Sequence, residues 1–375
     1  MTFVNPYNFV PFRPPAQGRD HPPVGHDAWD EDRLSGWFEV RFTTRSPLIL
    51  VDQSRATLHR GHRTIPLRVD ASGRPLLPAT TLRGALRAAF EALTNSRVGV
   101  TGHHLGPDFD PPETLASFSP AERSFGWASQ TGQGAFRSSI RIEPPVCDVT
   151  REDVQIDRRT LPILSSPKPR HTPFYFRSVH RRGPGGIPQV IQQKRGWKFY
   201  LASDPQVAKV ARTNQNCSVD VLPTGVSFRS RVHFRNLSHW EAGALTYLLD
   251  SGRRTLLRFG MGRPLGYGSV GSSTTASSVR CGSCLADQYR DVSLLARDCD
   301  HWNSNAPQEL SNAFFKGSSR ENGLAQYLAM ARGFREEDVH YPAWHWFHQH
   351  GHQFLPDVSD DIVAVIREQD PPPTL

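Results

Sequence analysis

Residues Phe259–Gly271 read F-G-M-G-R-P-L-G-Y-G-S-V-G, with five glycines and one arginine. Glycine adopts positive φ without strain and lets a bound group approach the main chain closely. A glycine-rich turn that carries Arg263 can therefore offer backbone N–H groups and a guanidinium to a phosphate. The stretch does not match G-x-x-x-x-G-K-S/T, and no strand, G-x-G-x-x-G and helix unit surrounds it, which argues against a nucleotide cofactor. A tight turn between two strands is the alternative interpretation.

Hydrophobic patterns on either side of this stretch indicate an α+β fold. Alternating or apolar runs predict strands, and apolar residues at helical spacing predict two helices between them. In chain order the predicted elements are a strand at 37–51, a helix from about 80, strands at 123–128 and 135–146, a strand at 226–234, a helix from 239, and a strand after the glycine stretch. This order is typical of a ferredoxin-like (RRM-like) βαββαβ core.

Local signals predict where the helices begin and how the chain divides. Thr80 or Thr81 is expected to cap the first helix, and Ser238 followed by Glu241 predicts a capping box for the second. We expect an extended arm at 1–35, a ferredoxin-like domain at 36–284 with an insertion at about 150–205, and a helical, acidic C-terminal extension at 285–375. Within that extension, helical patterns lie near 308–314 and 322–333.

Composition indicates a globular chain in a reducing compartment. The 375 residues are 37% hydrophobic and include 31 prolines and 29 glycines, which favours long irregular connections. No apolar run is long enough to span a bilayer, and the first residues lack the pattern of a secretory signal. The odd number of five cysteines argues against a disulfide framework. These features predict a cytoplasmic protein without a membrane partner.

Charge is distributed unevenly along the chain. From residue 285 onward 7 basic and 14 acidic residues give a balance of −7, whereas residues 1–284 carry 37 basic and 22 acidic residues, or +15. The segment 158–203 contains ten Lys or Arg residues, no acidic residue and several aromatic residues. Cations neutralise phosphates and aromatic rings stack on bases, so this excursion predicts contact with RNA, with a solvated basic loop as the alternative.

Several segments resemble the RAMP superfamily of CRISPR-associated proteins. Residues 76–91, L-L-P-A-T-T-L-R-G-A-L-R-A-A-F-E, are similar to its "(I/L)PGSSLKGxLR" segment, and R-S-F-G-W-A at 123–128 is similar to its "RLFG" strand. The part from 225 to 270 resembles the closing helix and glycine loop of the family. The N-P-Y-N-F-V-P-F start is similar to that of a branch found in type III effector complexes.

The resemblance implies a subunit that grips the backbone of a guide CRISPR RNA and presents it to target RNA beside other effector subunits, in antiviral defence. It also implies that the basic insertion forms a thumb-like hairpin. The residues expected to contact RNA are Arg60, Arg63, Arg83, Arg87, Lys168, Arg170, Arg177, Arg181, Arg182, Lys194, Arg195, Lys198 and Arg263, with Gly262, Gly266 and Gly268 shaping the loop.

Catalysis is an open alternative. Many type III backbone subunits cut target RNA with a loop aspartate, and Asp52 is the candidate here, although Arg63 or Thr64 occupies the position that matches the family pattern. His59 or His62 would suit a metal-independent endoribonuclease that processes CRISPR RNA, because histidine titrates near neutral pH. Phosphate contact or surface exposure is the alternative for both histidines. A capping subunit whose acidic C-terminal region contacts a protein neighbour is a third possibility.

Metal binding is the remaining question. Cys281 and Cys284 form C-x-x-C, with Cys299 downstream, so a structural zinc site is one interpretation and buried reduced thiols are the other. The histidine-rich run at 345–352 contains no cysteine or carboxylate, which favours surface or core histidines. No other cofactor is expected.

Overall fold

A computed structural model describes residues 6–99, 105–129, 132, 134–164, 172–182, 188–203, 205, 210–250, 255–291, 306–317 and 324–331, with backbone alone at 179–182, 188–192 and 317. The strands are β1 (Tyr7–Pro11), β2 (Leu34–Thr44), β3 (Thr57–His59), β4 (His62–Ile65), β5 (Trp127–Ala128), β6 (Ala135–Phe136), β7 (Ile140–Ile142), β8 (Val146–Cys147), β9 (Asp157–Leu161), β10 (Phe176–Arg182), β11 (Pro188–Lys194), β12 (Gly196–Tyr200), β13 (Cys217–Val221), β14 (Ser227–Leu237), β15 (Leu257–Arg258) and β16 (Ser269–Cys281). The helices are α1 (Ala79–Leu93), α2 (Pro120–Phe125), α3 (Thr172–Tyr175), α4 (His239–Leu249), α5 (Gly282–Arg290), α6 (Ala306–Gly317) and α7 (Leu324–Ala331).

The main sheet has the strand order β15-β16-β2-β14-β7, with β8 also paired to β14, and every pairing is antiparallel. Alternate residues of the long central strands are buried, as Phe38, Val40 and Phe42 are on β2. The helices α1 and α4 share the core formed by these side chains. A mixed α+β fold with an antiparallel sheet is therefore confirmed.

The sequence signals predicted the start of α4 correctly and the start of α1 incorrectly. Ser238 Oγ accepts the N–H of Glu241 at 3.2 Å, and the Ser238 N–H donates to Glu241 Oε2 at 3.0 Å, so the predicted capping box of α4 is confirmed. The predicted cap of α1 is wrong, since this helix starts at Ala79 after Pro78, with no side-chain cap. Proline fixes its φ, which lets the chain turn into the helix without a capping hydroxyl.

The family-like segment at 123–128 differs from the predicted strand. Residues 120–125 form α2, which begins with a capping box between Ser119 and Glu122, and only Trp127 and Ala128 are extended. Serine, proline at the first helical position and glutamate two residues later are a helix-start signal that outweighs the apolar residues of this run. The short strand β5 then pairs with β6, as expected for two strands around the T-G-Q-G turn.

A second sheet with strand order β3-β4-β13-β9 was not predicted. Its core contains Ile65, Val219, Leu265 and Tyr267, so the glycine stretch packs against it through two of its own side chains. The sequence reads as a polar loop at 52–74 because its hairpin is short and basic. Arg60 takes positive φ (48°) in the turn, which glycine or asparagine usually occupies, so the turn signal is weak.

The N-terminal arm and the basic excursion pair with each other. The strand β1 is antiparallel to β12, with Tyr7 opposite Tyr200. Within the excursion β10 and β11 form an antiparallel hairpin, with Phe176 opposite Lys194. The arm therefore contributes the strand β1, which pairs with β12 at the end of the excursion, beside α1 and the glycine stretch.

The C-terminal helices predicted near 308–314 and 322–333 are confirmed as α6 and α7, and their apolar residues join the main core. Cys281 and Cys284 form a disulfide with Cα atoms 5.3 Å apart, so the prediction of reduced thiols is wrong for this pair. The motif places one cysteine before α5 and the other in its first turn, which brings the sulfurs together. None of the helices described in these ranges is long and apolar enough to cross a membrane.

Candidate nucleic-acid interface

A groove of about 790 Å³ lies between the start of α1, the glycine stretch and the end of β12. The segment that follows β2 forms its floor through Ile49, Leu50 and Val51. Two regions that are far apart in the sequence, residues 80–88 and 256–263, therefore face the same cavity. The sequence predicted RNA contacts in both regions, at Arg83, Arg87 and Arg263, and of these three only Arg263 lines the cavity.

The wall formed by α1 is built from small residues. Thr81, Gly84, Ala85 and Ala88 line the groove, and no atom lies within 4 Å of the position that a Cβ of Gly84 would take. Since α1 has no side-chain cap, its first backbone N–H groups are not satisfied by a capping side chain. The wall therefore admits a bulky group and has the positive end of a 15-residue helix at its edge.

The glycine stretch forms a tight loop between β15 and β16. Gly260, Gly262, Gly266 and Gly268 have φ values of 85°, 76°, 90° and 82°, a region that other residues rarely adopt. At Gly268 a Cβ would also lie 1.9 Å from the carbonyl oxygen of Phe259. The predicted glycines thus shape the loop, as required for Arg263 to stand exposed at the groove.

Arg258 holds this loop from below. Its guanidinium donates to the carbonyl oxygens of Arg263 at 2.6 Å and Gly266 at 3.3 Å, and also to the hydroxyl of Ser269. Burial, followed by the neighbouring charge of Arg263, lowers the pKa of Arg258. Arg258 therefore positions the loop and adds a second positive charge beside Arg263.

Lys198 supplies a third cation from β12. Its ammonium lies 3.6 Å from the ring centroid of Tyr7 and 5.2 Å from those of Tyr175 and Tyr200, and it donates to the Tyr175 hydroxyl at 2.9 Å. These rings form a tyrosine cage (Tyr7, Tyr175 and Tyr200) whose π-faces attract a cation. The guanidinium of Arg263 also lies 5.2 Å from the ring centroid of Tyr200.

The three cations have no acidic partner among the residues that the structure describes. None of the ion pairs in these ranges joins an Asp or Glu to Lys198, Arg258 or Arg263. Burial, with a smaller contribution from Arg263, lowers the pKa of Lys198 from its ordinary value of 10.5 to about 8. Such a cluster attracts an anion, because a negative group would relieve the repulsion between its members.

Arg83 and Arg87 do not line this groove. Arg83 donates to the carbonyl oxygens of Phe125 and of Ile140, the latter at 3.1 Å. Arg87 contacts Glu91 Oε1 at 2.8 Å and the carbonyl oxygen of Gly126 at 3.3 Å. Both side chains connect α1 to the end of α2, and their contact with RNA stays a prediction.

The other predicted RNA contacts are spread over three places. Arg60 and Arg63 are exposed on the β3–β4 hairpin, and Arg177 on β10 donates to Gln193 at 3.2 Å. Lys194 and Arg195 line a smaller cavity of about 360 Å³ that shares Tyr175 and Lys198 with the groove. Lys168 and Arg170 lie outside the described residues, as do the side chains of Arg181 and Arg182.

The candidate catalytic residues lie outside the groove. Asp52 Oδ1 accepts from the hydroxyl of Ser54 at 2.6 Å, and that bond holds the pKa of Asp52 below its usual value. The ring nitrogens of His62 lie 2.8 Å from the Thr213 carbonyl oxygen and 2.9 Å from Ser218 Oγ, so both have partners within the protein. His59 is exposed on β3, and none of the three candidates lines the groove.

Metal ligands are not grouped in the described ranges. No cluster of three or more His, Cys, Asp or Glu residues there is placed to hold a metal ion. Cys281 and Cys284 are bonded to each other, while Cys299 and the histidine run at 345–352 lie outside the described residues. The zinc interpretation of these cysteines stays a prediction.

The sequence did not indicate that the tyrosine cage and Arg258 belong to the site. The aromatic residues of the excursion were recognised as possible partners of bases, but nothing in the sequence indicated that Tyr7 of the arm would pair with Tyr200. Arg258 stands before the glycines and outside the phosphate-binding pattern. Only the pairing of β1 with β12 brings these side chains to the loop.

Comparison with known proteins identifies the family. No curated protein matches the chain. Among solved structures, a chain of a type IV-B CRISPR complex is 16% identical, with a TM-score of 0.32, and the match covers 65% of this chain and 92% of that one. The model of the RAMP superfamily matches residues 41–271, a range that holds the helices α1 and α4, the central strand β14 and the glycine stretch. The chain therefore belongs to the RAMP superfamily.

Proposed function

We propose that this protein is an RNA-binding subunit of a CRISPR effector complex and grips the backbone of a guide RNA in the groove beside α1. The observation that carries the proposal is the convergence of Lys198, Arg258 and Arg263 on one cavity without a described acidic partner. In a nucleic acid, the anionic groups that such a cluster of cations binds are the backbone phosphates. Target RNA and neighbouring effector subunits are the further partners of this role.

The proposed core is ferredoxin-like, and the strand order supports it. Numbering only the four strands of a βαββαβ unit, β16-β2-β14-β7 has the order fourth, first, third, second, with α1 and α4 as the two connecting helices. The hairpin β10–β11 lies between the second and third of these strands in the sequence, where the proposed thumb would project. Assignment to a type III complex rests on the resemblance of the N-terminal segment alone.

The protein acts by binding and not by cleavage in this proposal. The groove contains arginine, lysine and tyrosine side chains, whereas Asp52, His59 and His62 lie outside its lining. Cationic side chains neutralise phosphates, and the tyrosine rings offer flat surfaces on which a base can stack. The groove therefore suits a single-stranded RNA whose backbone is held and whose bases stay available for pairing.

The test is a binding measurement with labelled CRISPR repeat RNA in EDTA, monitored by fluorescence anisotropy and by gel for cleavage. A double variant with Lys198→Ala and Arg263→Ala should bind at least roughly a hundredfold more weakly, because each of the two charged hydrogen bonds to phosphate contributes about 1.5–3 kcal/mol. The slope of affinity against salt should also fall, by about 0.7 for each lost phosphate contact on a single strand.

The matched control removes two cations outside the groove. Lys316 and Arg290 are both exposed, so Lys316→Ala with Arg290→Ala lowers the net charge equally. We expect this control to bind RNA within about threefold of the unchanged protein, as for a long-range charge effect that salt screens. Equal losses in the two double variants would contradict the groove as the site, and cleavage of the RNA in EDTA would overturn the binding role.

A further inference from the structure

The main sheet has one face that is turned away from its helices. Phe38, Val40 and Phe42 point from β2 into the core shared with α1 and α4, so the residues between them point to the opposite side. Strand pairing aligns these outward residues with those of the neighbouring strands, and none of them lines the groove. We call this surface the open face, and it comprises Trp37, Glu39 and Arg41 of β2, Arg229, Arg231, His233 and Arg235 of β14, Ser273, Ala276, Ser278 and Arg280 of β16, and Arg141 of β7.

Two stacks of arginine on tryptophan lie at the open face. The guanidinium of Arg231 lies 4.3 Å from the ring centroid of Trp37, and that of Arg235 lies 4.0 Å from the ring centroid of Trp29. Trp29 belongs to the arm and is 38% exposed, while Trp37 is half-buried. The two arginines are four residues apart on β14, about 13 Å at the usual rise of a strand. Each stack presents a flat π-surface, of the kind on which the bases of a single-stranded nucleic acid stack.

The arginines of the open face carry more positive charge than the neighbouring carboxylates neutralise. Three of them have an acidic partner at 2.6–3.5 Å: Arg229 with Asp148, Arg231 with Glu39 and Arg141 with Glu143. Arg41 and Arg235 have no acidic partner among the residues that the structure describes, and Arg280 donates to the neutral Gln288 at 2.6 Å. These three arginines leave unmatched positive charge, which attracts a polyanion.

The shape of the open face suits a flexible strand of RNA better than a protein partner. Along β16 the outward residues Ser273, Ala276 and Ser278 are small, so they leave a shallow lane beside the arginines. The outward residues of the three described strands β2, β14 and β16 include no large aliphatic side chain. The centre of a protein–protein interface is usually apolar and depleted of charged residues, which this surface is not.

We propose that the open face binds a second stretch of single-stranded RNA, with bases stacked at Trp37 and Trp29 and phosphates held by Arg41 and Arg235. Trp37 and His233 lie opposite each other on the two central strands, and other RNA-binding proteins use rings on a four-stranded sheet to stack two or three bases. The proposal goes beyond the proposed function, because the open face shares no residue with the groove and binds RNA independently of it.

The experiment measures the affinity of the full chain for labelled oligouridylate by fluorescence anisotropy at several salt concentrations. The groove variant carries Lys198→Ala with Arg263→Ala, and the face variant carries Trp37→Leu with Arg41→Gln. When the face substitutions are added to the groove variant, the remaining affinity should fall at least about tenfold, because a stacked base and a phosphate contact are both lost. The slope of affinity against salt should fall by about 0.7 for the lost phosphate contact.

The matched control removes one exposed ring and one exposed arginine elsewhere. Phe315 is 44% exposed on α6, which packs on α4 on the helical side of the sheet, and Arg212 is exposed before β13. Phe315→Leu with Arg212→Gln, added to the groove variant, should change RNA affinity by less than about threefold. Arg41→Gln alone removes no described contact of the fold, so its smaller salt slope tests the open face even if Trp37→Leu disturbs the sheet.

The outcomes separate the open face from the groove. If the groove variant no longer binds RNA, or if it loses no more affinity from the face substitutions than from the control, the open face is refuted and the groove stands. If the groove substitutions have no effect and the face substitutions abolish binding, the proposed function of the groove fails and the open face stands. If the face substitutions leave RNA binding unchanged but prevent assembly with neighbouring effector subunits, the occupant is a protein and the proposal is refuted.

Discussion

Replacement of Lys198 by methionine should make the free protein more stable. At neutral pH the protein holds a charged ammonium in a place that lowers the pKa of that group from 10.5 to about 8. This difference corresponds to a cost of roughly 3 kcal/mol, at about 1.36 kcal/mol for each pKa unit. Methionine has a similar length and no charge, so it removes the cost and still fills the tyrosine cage.

Two favourable contacts are lost in the same substitution. The cage stabilises the ammonium by about 0.5–2 kcal/mol through its ring faces, and the hydrogen bond to Tyr175 contributes about 1 kcal/mol. After these losses we expect the Lys198→Met variant to gain roughly 1 kcal/mol in the free energy of unfolding at pH 7. RNA affinity should fall in the same variant, so that stability and binding change in opposite directions.

The pH dependence of the free energy of unfolding follows from the lowered pKa of Lys198. The pKa of Lys198 is lower in the folded than in the unfolded chain, so above pH 8 the unfolded chain binds more protons, and stability rises from about pH 8 to pH 10.5. The Lys198→Met variant lacks this rise, and its advantage should disappear by pH 10.

Urea unfolding at pH 7 and pH 10 measures both effects. The matched control is Lys316→Met, because Lys316 is exposed and its replacement should change stability by less than about 0.5 kcal/mol. A Lys198→Met variant that is less stable than the unchanged protein at pH 7 would refute the reasoning. It would show that the cage stabilises the ammonium by more than burial and Arg263 destabilise it.

Three further substitutions test the scaffold. Glu122→Gln should stabilise the protein at pH 8 by up to roughly 3 kcal/mol and change its stability little at pH 4. Burial raises the pKa of Glu122 from 4.5 to about 7, so the ionised carboxylate destabilises the folded protein above that pH. Urea unfolding at both pH values measures this difference. Gly268→Ala should lower the free energy of unfolding by more than about 3 kcal/mol. Gly225 has a similar φ of 85° and no atom within 4 Å of the new Cβ, so Gly225→Ala should lower it by only about 1 kcal/mol. Equal melting temperatures for the two variants would contradict this expectation. Arg83→Ala should lower the free energy of unfolding by about 1–2 kcal/mol, because it loses the hydrogen bonds to Ile140 and Phe125, and it should leave RNA affinity unchanged. A loss of affinity without a loss of stability would instead show that Arg83 contacts RNA directly.

Local signals in the sequence predicted the parts of the fold that depend on neighbouring residues. The capping box at Ser238 and Glu241 requires only two side chains three positions apart, and the structure confirms it. The turn formed by the glycine stretch was also recognisable, because four of its glycines are needed for positive φ. Helical spacing likewise placed α1, α4, α6 and α7 within a few residues of their bounds.

Contacts between distant segments could not be predicted in the same way. The tyrosine cage depends on the pairing of Tyr7 with Tyr200, across almost two hundred positions, and an edge strand of five residues leaves only a weak pattern. The second sheet joins β4 to β13 in parallel over three residue pairs, which is too short for a periodic signal. Arg83 and Arg87 show the reverse case: they belong to a basic, family-like segment, and tertiary packing turns both towards α2.

Photo-crosslinking of the full chain to single-stranded RNA that carries 4-thiouridine, followed by peptide mapping, tests the central claim most directly. If the groove holds the RNA, adducts should concentrate on β12 and the glycine loop, with Tyr200 as the principal aromatic site, and they should disappear in the double variant with Lys198→Ala and Arg263→Ala. Adducts confined to the exposed β3–β4 hairpin around Arg60, and unchanged in that double variant, would contradict the account.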